Sequence, residues 1–252
     1  MNKIVLISGA TAGIGEALAW KFAENKYKLI LTGRRKERLE KLKSELSTKF
    51  SVDVLTLQFD IRVLNEVEKA VESIPENWQN IDVLINNAGL AVGVTPIQEG
   101  VYDDWERMID TNVKGLLYLS RNIIPFMKNR KKGHIINIGS IAGKQVYPNG
   151  NVYCGTKAAV QSITEGMRID LVNYGIKVTQ ITPGAVETEF SLVRFKGDED
   201  AAKKVYNGYK PLTAKDIAET TFYTTTLPDH VNINDILITP TAQANAYVYH
   251  KA

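Results

Sequence analysis

The chain has 252 residues and a mass of 28.1 kDa, long enough to bury a sizeable core within one α/β domain. Its 44% hydrophobic and 23% charged content is that of an ordinary water-soluble globular protein, and no run of residues is long and apolar enough to cross a bilayer. The formal charge of +3 is spread over mixed-sign helix turns such as Arg34 to Lys41, with no one-sided basic stripe, so neither nucleic acid nor a membrane is an expected partner.

The first apolar run predicts a strand over 3–8, stopped by Ser8-Gly9 too early for a secretion signal, so a cytoplasmic location is expected. It enters Gly9-Ala10-Thr11-Ala12-Gly13-Ile14-Gly15 and then a helix over 14–25. Glycines at a strand-to-helix turn let backbone approach a pyrophosphate, whose charge suits the free N–H groups of the helix start. A second strand over 28–32 ends in Gly33-Arg34-Arg35, which opens a helix over 35–47. In units that bind NAD an acidic residue in this neighbourhood takes the ribose hydroxyl. Here two guanidinium groups stand instead, at a helix start whose dipole disfavours cations, so an anionic 2′-phosphate and hence NADP(H) is the expected cofactor.

Strands over 52–59 and 83–86 flank a helix over 65–74, and a long helix over 102–130 leads to a strand over 134–138. Ser140 follows that strand, where a hydroxyl can hold a substrate oxygen. A helix over 153–174 carries Tyr153 and Lys157 one turn apart on one face. A phenol has an ordinary pKa of about 10, and bringing it to about 7 takes about 4 kcal/mol of preferential phenolate stabilisation. The Lys157 ammonium, the helix start and a cofactor ribose together are the expected source. After a strand over 177–182 comes a charged stretch of about 187–210 with no firm period, read as a mobile lid, and a helix over 214–226 and a strand over 236–238 complete the series. The alternation predicts a single-domain Rossmann fold with a doubly wound, seven-stranded parallel sheet. Cys154, the only cysteine, excludes an internal disulfide and reads as a packed side chain, and His134, His230 and His250 lack metal-ligand spacing, so no metal is expected.

The turn at Thr11-Ala12-Gly13-Ile14-Gly15, Asn86-Asn87-Ala88-Gly89, Asn112, Ser140, Tyr153 with Lys157, and Pro183-Gly184 occur in the order that characterises the short-chain dehydrogenases/reductases, and the chain resembles that family from residue 3 to 240. Ser8 stands where many members have threonine, with the hydroxyl retained. The resemblance implies that Tyr153 is the acid/base, that Lys157 holds the nicotinamide ribose and lowers the tyrosine pKa, that Ser140 positions the substrate oxygen, and that Asn112 maintains a water relay. It also implies that Asp60, Ile61 and Asn86 flank the adenosine, that Ala88 and Gly89 line the cofactor, and that Pro183, Gly184, Val186 and Thr188 border the nicotinamide end. The segments Asn87 to Gly93, Gly139 to Gly143 and Glu187 to Gly197 are similar to those of the NADP-dependent 3-hydroxy acid dehydrogenases, which act on serine, L-allo-threonine and related acids and are usually homotetramers. Such substrates need a cation for their carboxylate, and Arg194 is the first candidate, with Lys196 second. Another carbonyl or 3-oxoacyl reductase, and a non-catalytic NADP sensor on the same fold, are the competing expectations.

Overall fold

A computed structural model describes residues 3–252. In chain order it runs β1 (Ile4–Ile7), α1 (Gly13–Glu24), β2 (Lys28–Gly33), α2 (Lys36–Phe50), β3 (Val54–Gln58), α3 (Leu64–Glu72), β4 (Ile81–Asn86), α4 (Tyr102–Ile109), α5 (Leu116–Arg130), β5 (Gly133–Ile138), α6 (Asn151–Leu171) and β6 (Ile176–Pro183). The remaining elements are β7 (Val186–Glu187), α7 (Glu189–Arg194), α8 (Glu199–Lys204), β8 (Leu212–Thr213), α9 (Ala214–Thr225) and β9 (Asp235–Ile238). Seven strands form one sheet in the order β3-β2-β1-β4-β5-β6-β9, with every neighbouring pair parallel. This is the expected doubly wound Rossmann sheet, and all seven predicted strands lie in it.

Successive side chains of β1 point to opposite faces, and both faces are apolar because helices cover both. Val5 and Ile7 pack in one core with Leu18 and Phe22 of α1, Leu39 of α2 and Ile217 of α9. Ile4 and Leu6 pack in the other with Val67 of α3 and Leu119, Ile123 and Met127 of α5. No helix among the described residues is long and apolar enough to cross a membrane.

The chain order of the strands reverses between β1 and β4, so their carboxyl ends diverge into a crevice, the position at which such sheets bind ligands. Ser8 closes the base of that crevice. Its retained hydroxyl accepts hydrogen bonds from Asn87 N and Ala88 N, both at 3.0 Å, and so ties β1 to the segment after β4.

Two expectations need correction. The helix over 102–130 is interrupted by a wide π-helical turn, Asp110–Gly115, between α4 and α5. It carries Asn112, whose side chain bonds the Leu90 backbone and Thr156, and such turns recur at functional sites. The stretch of about 187–210 is not an irregular loop. Thr188 caps α7 through Phe190 N, Asp198 caps α8 through Ala201 N, and β7 pairs with β8. Neither helix exceeds six residues, too short to show periodicity.

Candidate active site

The carboxyl ends of β1 to β6 open onto a cleft of about 490 Å³, roofed by α7. The glycine turn forms one wall. Gly9 and Gly13 have φ of +67° and +55°, and a Cβ on Gly9 would lie 2.9 Å from the α-carbon of Ala88. Both positions therefore need glycine. Ala12, which precedes α1, offers no side-chain cap, so the first N–H groups of the helix have no side-chain acceptor. Thr11, Ala12 and Ile14 complete this wall, and the bare backbone and open helix start fit a pyrophosphate. Gly15 is a correction: it does not line the cleft, because a Cβ there would strike the Gly9 carbonyl oxygen. Its role is to let α1 pack on the turn.

Arg34 and Arg35 follow β2 into the same cleft, but they differ. Arg34 is 59% exposed, and its nearest acidic atom is Asp60 Oδ2 at 3.9 Å, so its guanidinium is free for a 2′-phosphate. Arg35 donates from Nε and Nη2 to Thr11 Oγ1 (3.1 and 2.9 Å), from Nη2 to Thr11 O, and from Nη1 to Glu189. Asp60 and Ile61 follow β3 along the same edge. Burial opposes ionisation of Asp60, but hydrogen bonds from Arg62 and the charges of Arg62 and Arg34 outweigh it and hold the carboxyl below its ordinary range.

Ala88 and Gly89 line the cleft beside the turn, whereas Asn86 does not, which corrects its expected place next to the adenosine. Its side chain is buried beneath the sheet end, with Nδ2 donating to Ser120 Oγ (2.9 Å) and Asn137 Oδ1 (2.8 Å). The neighbour Asn87 reaches the cleft instead, donating from Nδ2 to the carbonyls of Ser8 and Gly9. Asn112 also stays off the cleft wall. Its Oδ1 accepts from Leu90 N, and its Nδ2 donates to Leu90 O and Thr156 Oγ1, so it ties the loop after β4 to α6 beside Lys157.

Ser140, Tyr153 and Lys157 meet at the far end of the cleft, bordered by Pro183, Gly184, Val186 and Thr188. Burial pushes the Tyr153 phenol up, reinforced by the neighbouring Tyr147, while the Ser140 hydroxyl and the Arg194 charge pull it back only in part. Lys157 Nζ donates to Ile138 O at 2.9 Å, and burial lowers its pKa to about 8. A lowered phenol pKa is expected from the Lys157 ammonium, the helix start and a cofactor ribose together; without the cofactor, burial dominates and the ammonium is bonded to the Ile138 carbonyl.

Arg194 of α7 reaches over this end, with its guanidinium 5.2 Å from the Tyr147 ring centre and 5.9 Å from that of Tyr153. Its Nε and the Tyr147 hydroxyl are both buried without a hydrogen-bond partner among the described residues. Lys196, the second candidate, is corrected: its ammonium pairs with Asp104 at 2.7 Å and does not line the cleft. Residues that the sequence did not single out complete the walls. Phe190 lies 5.7 Å from Tyr153 between ring centres, and Tyr206, Gln243 and Tyr249 also line the cleft. Gln243 and Tyr249 come after the last strand, where no motif or period marks them.

The short chain dehydrogenase family model matches residues 3–198. The chain is 50% identical over 244 residues to NADP-dependent 3-hydroxy acid dehydrogenase YdfG of Salmonella typhi, covering 96% of this chain and 97% of that one. It is 45% identical over 245 residues to sulfoacetaldehyde reductase 2 of Chromohalobacter salexigens (97% and 96% covered). With serine 3-dehydrogenase of Agrobacterium fabrum it shares 42% over 246 residues (98% and 97%). Among solved structures, the closed form of serine dehydrogenase complexed with NADP+ superposes with a TM-score of 0.93 at 46% identity, covering 99% of both chains. With a nucleotide cleft at the sheet switch point and serine, tyrosine and lysine gathered at its end, the protein belongs to the short-chain dehydrogenase/reductase family and is an NADP-dependent oxidoreductase.

Proposed function

We propose that the protein oxidises the 3-hydroxyl of small 3-hydroxy acids, serine and L-allo-threonine among them, and reduces the corresponding 3-oxo acids in reverse. The observation that carries this reading is Arg194, whose buried, unpartnered Nε sits beside the unpartnered Tyr147 hydroxyl and the Tyr153 ring. A buried donor without an acceptor costs about 1–3 kcal/mol, and a substrate carboxylate would remove that cost for both groups. The named substrates of the three relatives agree, since each pairs a carbonyl or hydroxyl with an anionic group.

Thr11, Ala12 and Gly13 would hold the cofactor pyrophosphate, Arg34 its 2′-phosphate, and Lys157 its nicotinamide ribose. Bound NADP supplies the hydride acceptor or donor. The Ser140 hydroxyl, held by Ala142 N at 3.1 Å, fixes the substrate oxygen, and Tyr153 Oη accepts its proton during oxidation and returns it during reduction. The buried Lys157 ammonium, freed from Ile138 O, would favour the phenolate. Asn112 acts by positioning Leu90 and Thr156. Exposed Tyr102, Ile109, Leu117 and Ile169 on α4, α5 and α6 suit contacts with further copies in a homotetramer.

The test is a panel of 3-hydroxypropionate, serine, L-allo-threonine and a neutral secondary alcohol, each with NADP+ and NAD+. Turnover of the acids with NADP+, at a kcat/KM at least about tenfold above that of the neutral alcohol, supports the reading. Equal use of the neutral alcohol, or NADPH binding with no turnover of any acid, overturns it.

A further inference from the structure

Helix α7 carries Phe190 and Arg194 over Tyr153, and a lysine closes its carboxyl end where glycine is the usual residue. Gly197 N donates to Leu192 O at 2.9 Å and Lys196 N to Val193 O at 3.1 Å, the paired bonds of a Schellman cap. That cap holds one residue in left-handed backbone, and Lys196 occupies it with φ of +54°. The side chain accounts for the choice. Its Nζ lies 2.7 Å from Oδ2 of Asp104 in α4, a carboxylate only 7% exposed. The preceding Asp103 is 75% exposed and serves the α4 dipole from solvent, whereas Asp104 is turned inward, where a carboxylate needs a partner. Lys196 is the one cation within ion-pair distance of it among the described residues. Asp104 also packs on the loop after β4. Gly93 there has φ of +76°, and a Cβ on it would lie 2.8 Å from Asp104 Oδ2. Gly93 N in turn donates to Arg194 O at 3.0 Å, and Gly93, Asp104, Tyr153 and Arg194 border one small cavity.

We infer that Asp104 is a positioning residue for the substrate end of the cleft: by holding Lys196 it latches the carboxyl end of α7 to α4 and so keeps Arg194 over Tyr153. The inference rests on the carboxylate-binding role proposed above for Arg194. Lys196 belongs to this latch and not to the substrate, and its backbone conformation is tolerated because the ammonium must reach a buried acid. The latch acts on a population. The apparent affinity for the acid falls by the fraction of molecules whose roof is in place, so loosening the latch raises KM. Saturating acid draws the roof back over the site, and Tyr153 and Ser140 are untouched, so kcat is kept. A neutral alcohol makes no use of the Arg194 charge and is affected far less.

Steady-state kinetics with serine and with a neutral secondary alcohol, at saturating NADP+, are measured together with thermal unfolding for wild type, Asp104→Asn, the double variant Asp104→Asn/Lys196→Gly, and Arg194→Met. Asp104→Asn should raise KM for serine about three- to tenfold, in keeping with loss of a half-exposed ion pair, with kcat and the KM for the alcohol within about twofold. The double variant should show the same rise with an unfolding midpoint no lower than that of wild type, because glycine relaxes the left-handed position and no buried charge is left unpaired. An unchanged KM in Asp104→Asn overturns the latch. A lower KM does so too, since it would mean that the freed lysine binds the substrate itself. A double variant with wild-type KM, or with a KM that rises only alongside a lower midpoint, also overturns it. If Arg194→Met leaves KM for serine unchanged, the carboxylate reading has failed and the latch falls with it. If Arg194→Met raises KM while Asp104→Asn does not, the latch alone has failed.

Discussion

Replacing Lys157 with Met should stabilise the free protein at pH 7 while abolishing its turnover. Lys157 is 6% exposed, and burial lowers its pKa from the usual 10.5 to about 8. Below pH 8 the amine is charged in both folded and unfolded chains, and the folded state bears the full cost of the buried charge, about 3 kcal/mol. Between pH 8 and 10.5 the folded chain has released the proton and the unfolded chain still holds it, so stability rises with pH. Above 10.5 the amine is neutral in both states and the cost is gone. Methionine removes the charge at similar length but leaves the Ile138 carbonyl without its donor, a loss of about 1 kcal/mol. The net gain at pH 7 is about 2 kcal/mol, which at this chain length raises Tm by about 4–8 °C. Thermal unfolding of both proteins without cofactor, from pH 7 to 10.5, reads it directly. A Met variant less stable at pH 7, or an advantage that does not shrink as pH rises, would refute the buried-charge argument.

Three further outcomes are expected. Arg194→Met should raise KM for a 3-hydroxy acid by about 10- to 100-fold, the value of a charge-assisted pair, while KM for a neutral alcohol moves less than about twofold; parallel changes in steady-state assays would remove Arg194 from carboxylate binding. Asn86→Leu leaves the buried Asn137 Oδ1 without its donor and should lower stability by about 1–3 kcal/mol in denaturant titrations, with NADPH affinity within about twofold; a selective loss of NADPH binding would return Asn86 to the cofactor site. Gly15→Ala drives a methyl group into the Gly9 carbonyl and should cost about 1–3 kcal/mol by the same titration; an unchanged unfolding midpoint contradicts the packing role given to Gly15.

The strands were legible because burial on both sheet faces favours short runs of Val, Ile and Leu, as in β1 and in Leu29-Ile30-Leu31 of β2. The strand-to-helix turn was legible for a similar reason: left-handed backbone at Gly9 and Gly13 demands a residue without a side chain. What the pattern could not separate was glycine that faces ligand from glycine that faces its own fold, and Gly15 belongs to the second kind. Asn86 and Asn87 show the same limit. They are adjacent and alike in chemistry, yet strand alternation turns Asn86 under the sheet and leaves Asn87 on the cleft. The charge on the Tyr153 site was hardest to read, since spacing shows that two side chains share a helix face but not how much water burial removes. Glu189 and Tyr249 come from segments distant in sequence that only the folded chain brings to the cleft.

In the proposed reaction Tyr153 moves the proton of a 3-hydroxy acid while NADP takes the hydride. The most direct measurement is the rate of NADPH formation at saturating 3-hydroxy acid in wild type and Tyr153→Phe, with NADPH affinity determined for both. The variant should bind NADPH within about threefold of wild type and form it about 10²- to 10⁴-fold more slowly, the range for loss of a general acid/base. A Tyr153→Phe enzyme that keeps its affinity and works within about fivefold of the wild-type rate would contradict it.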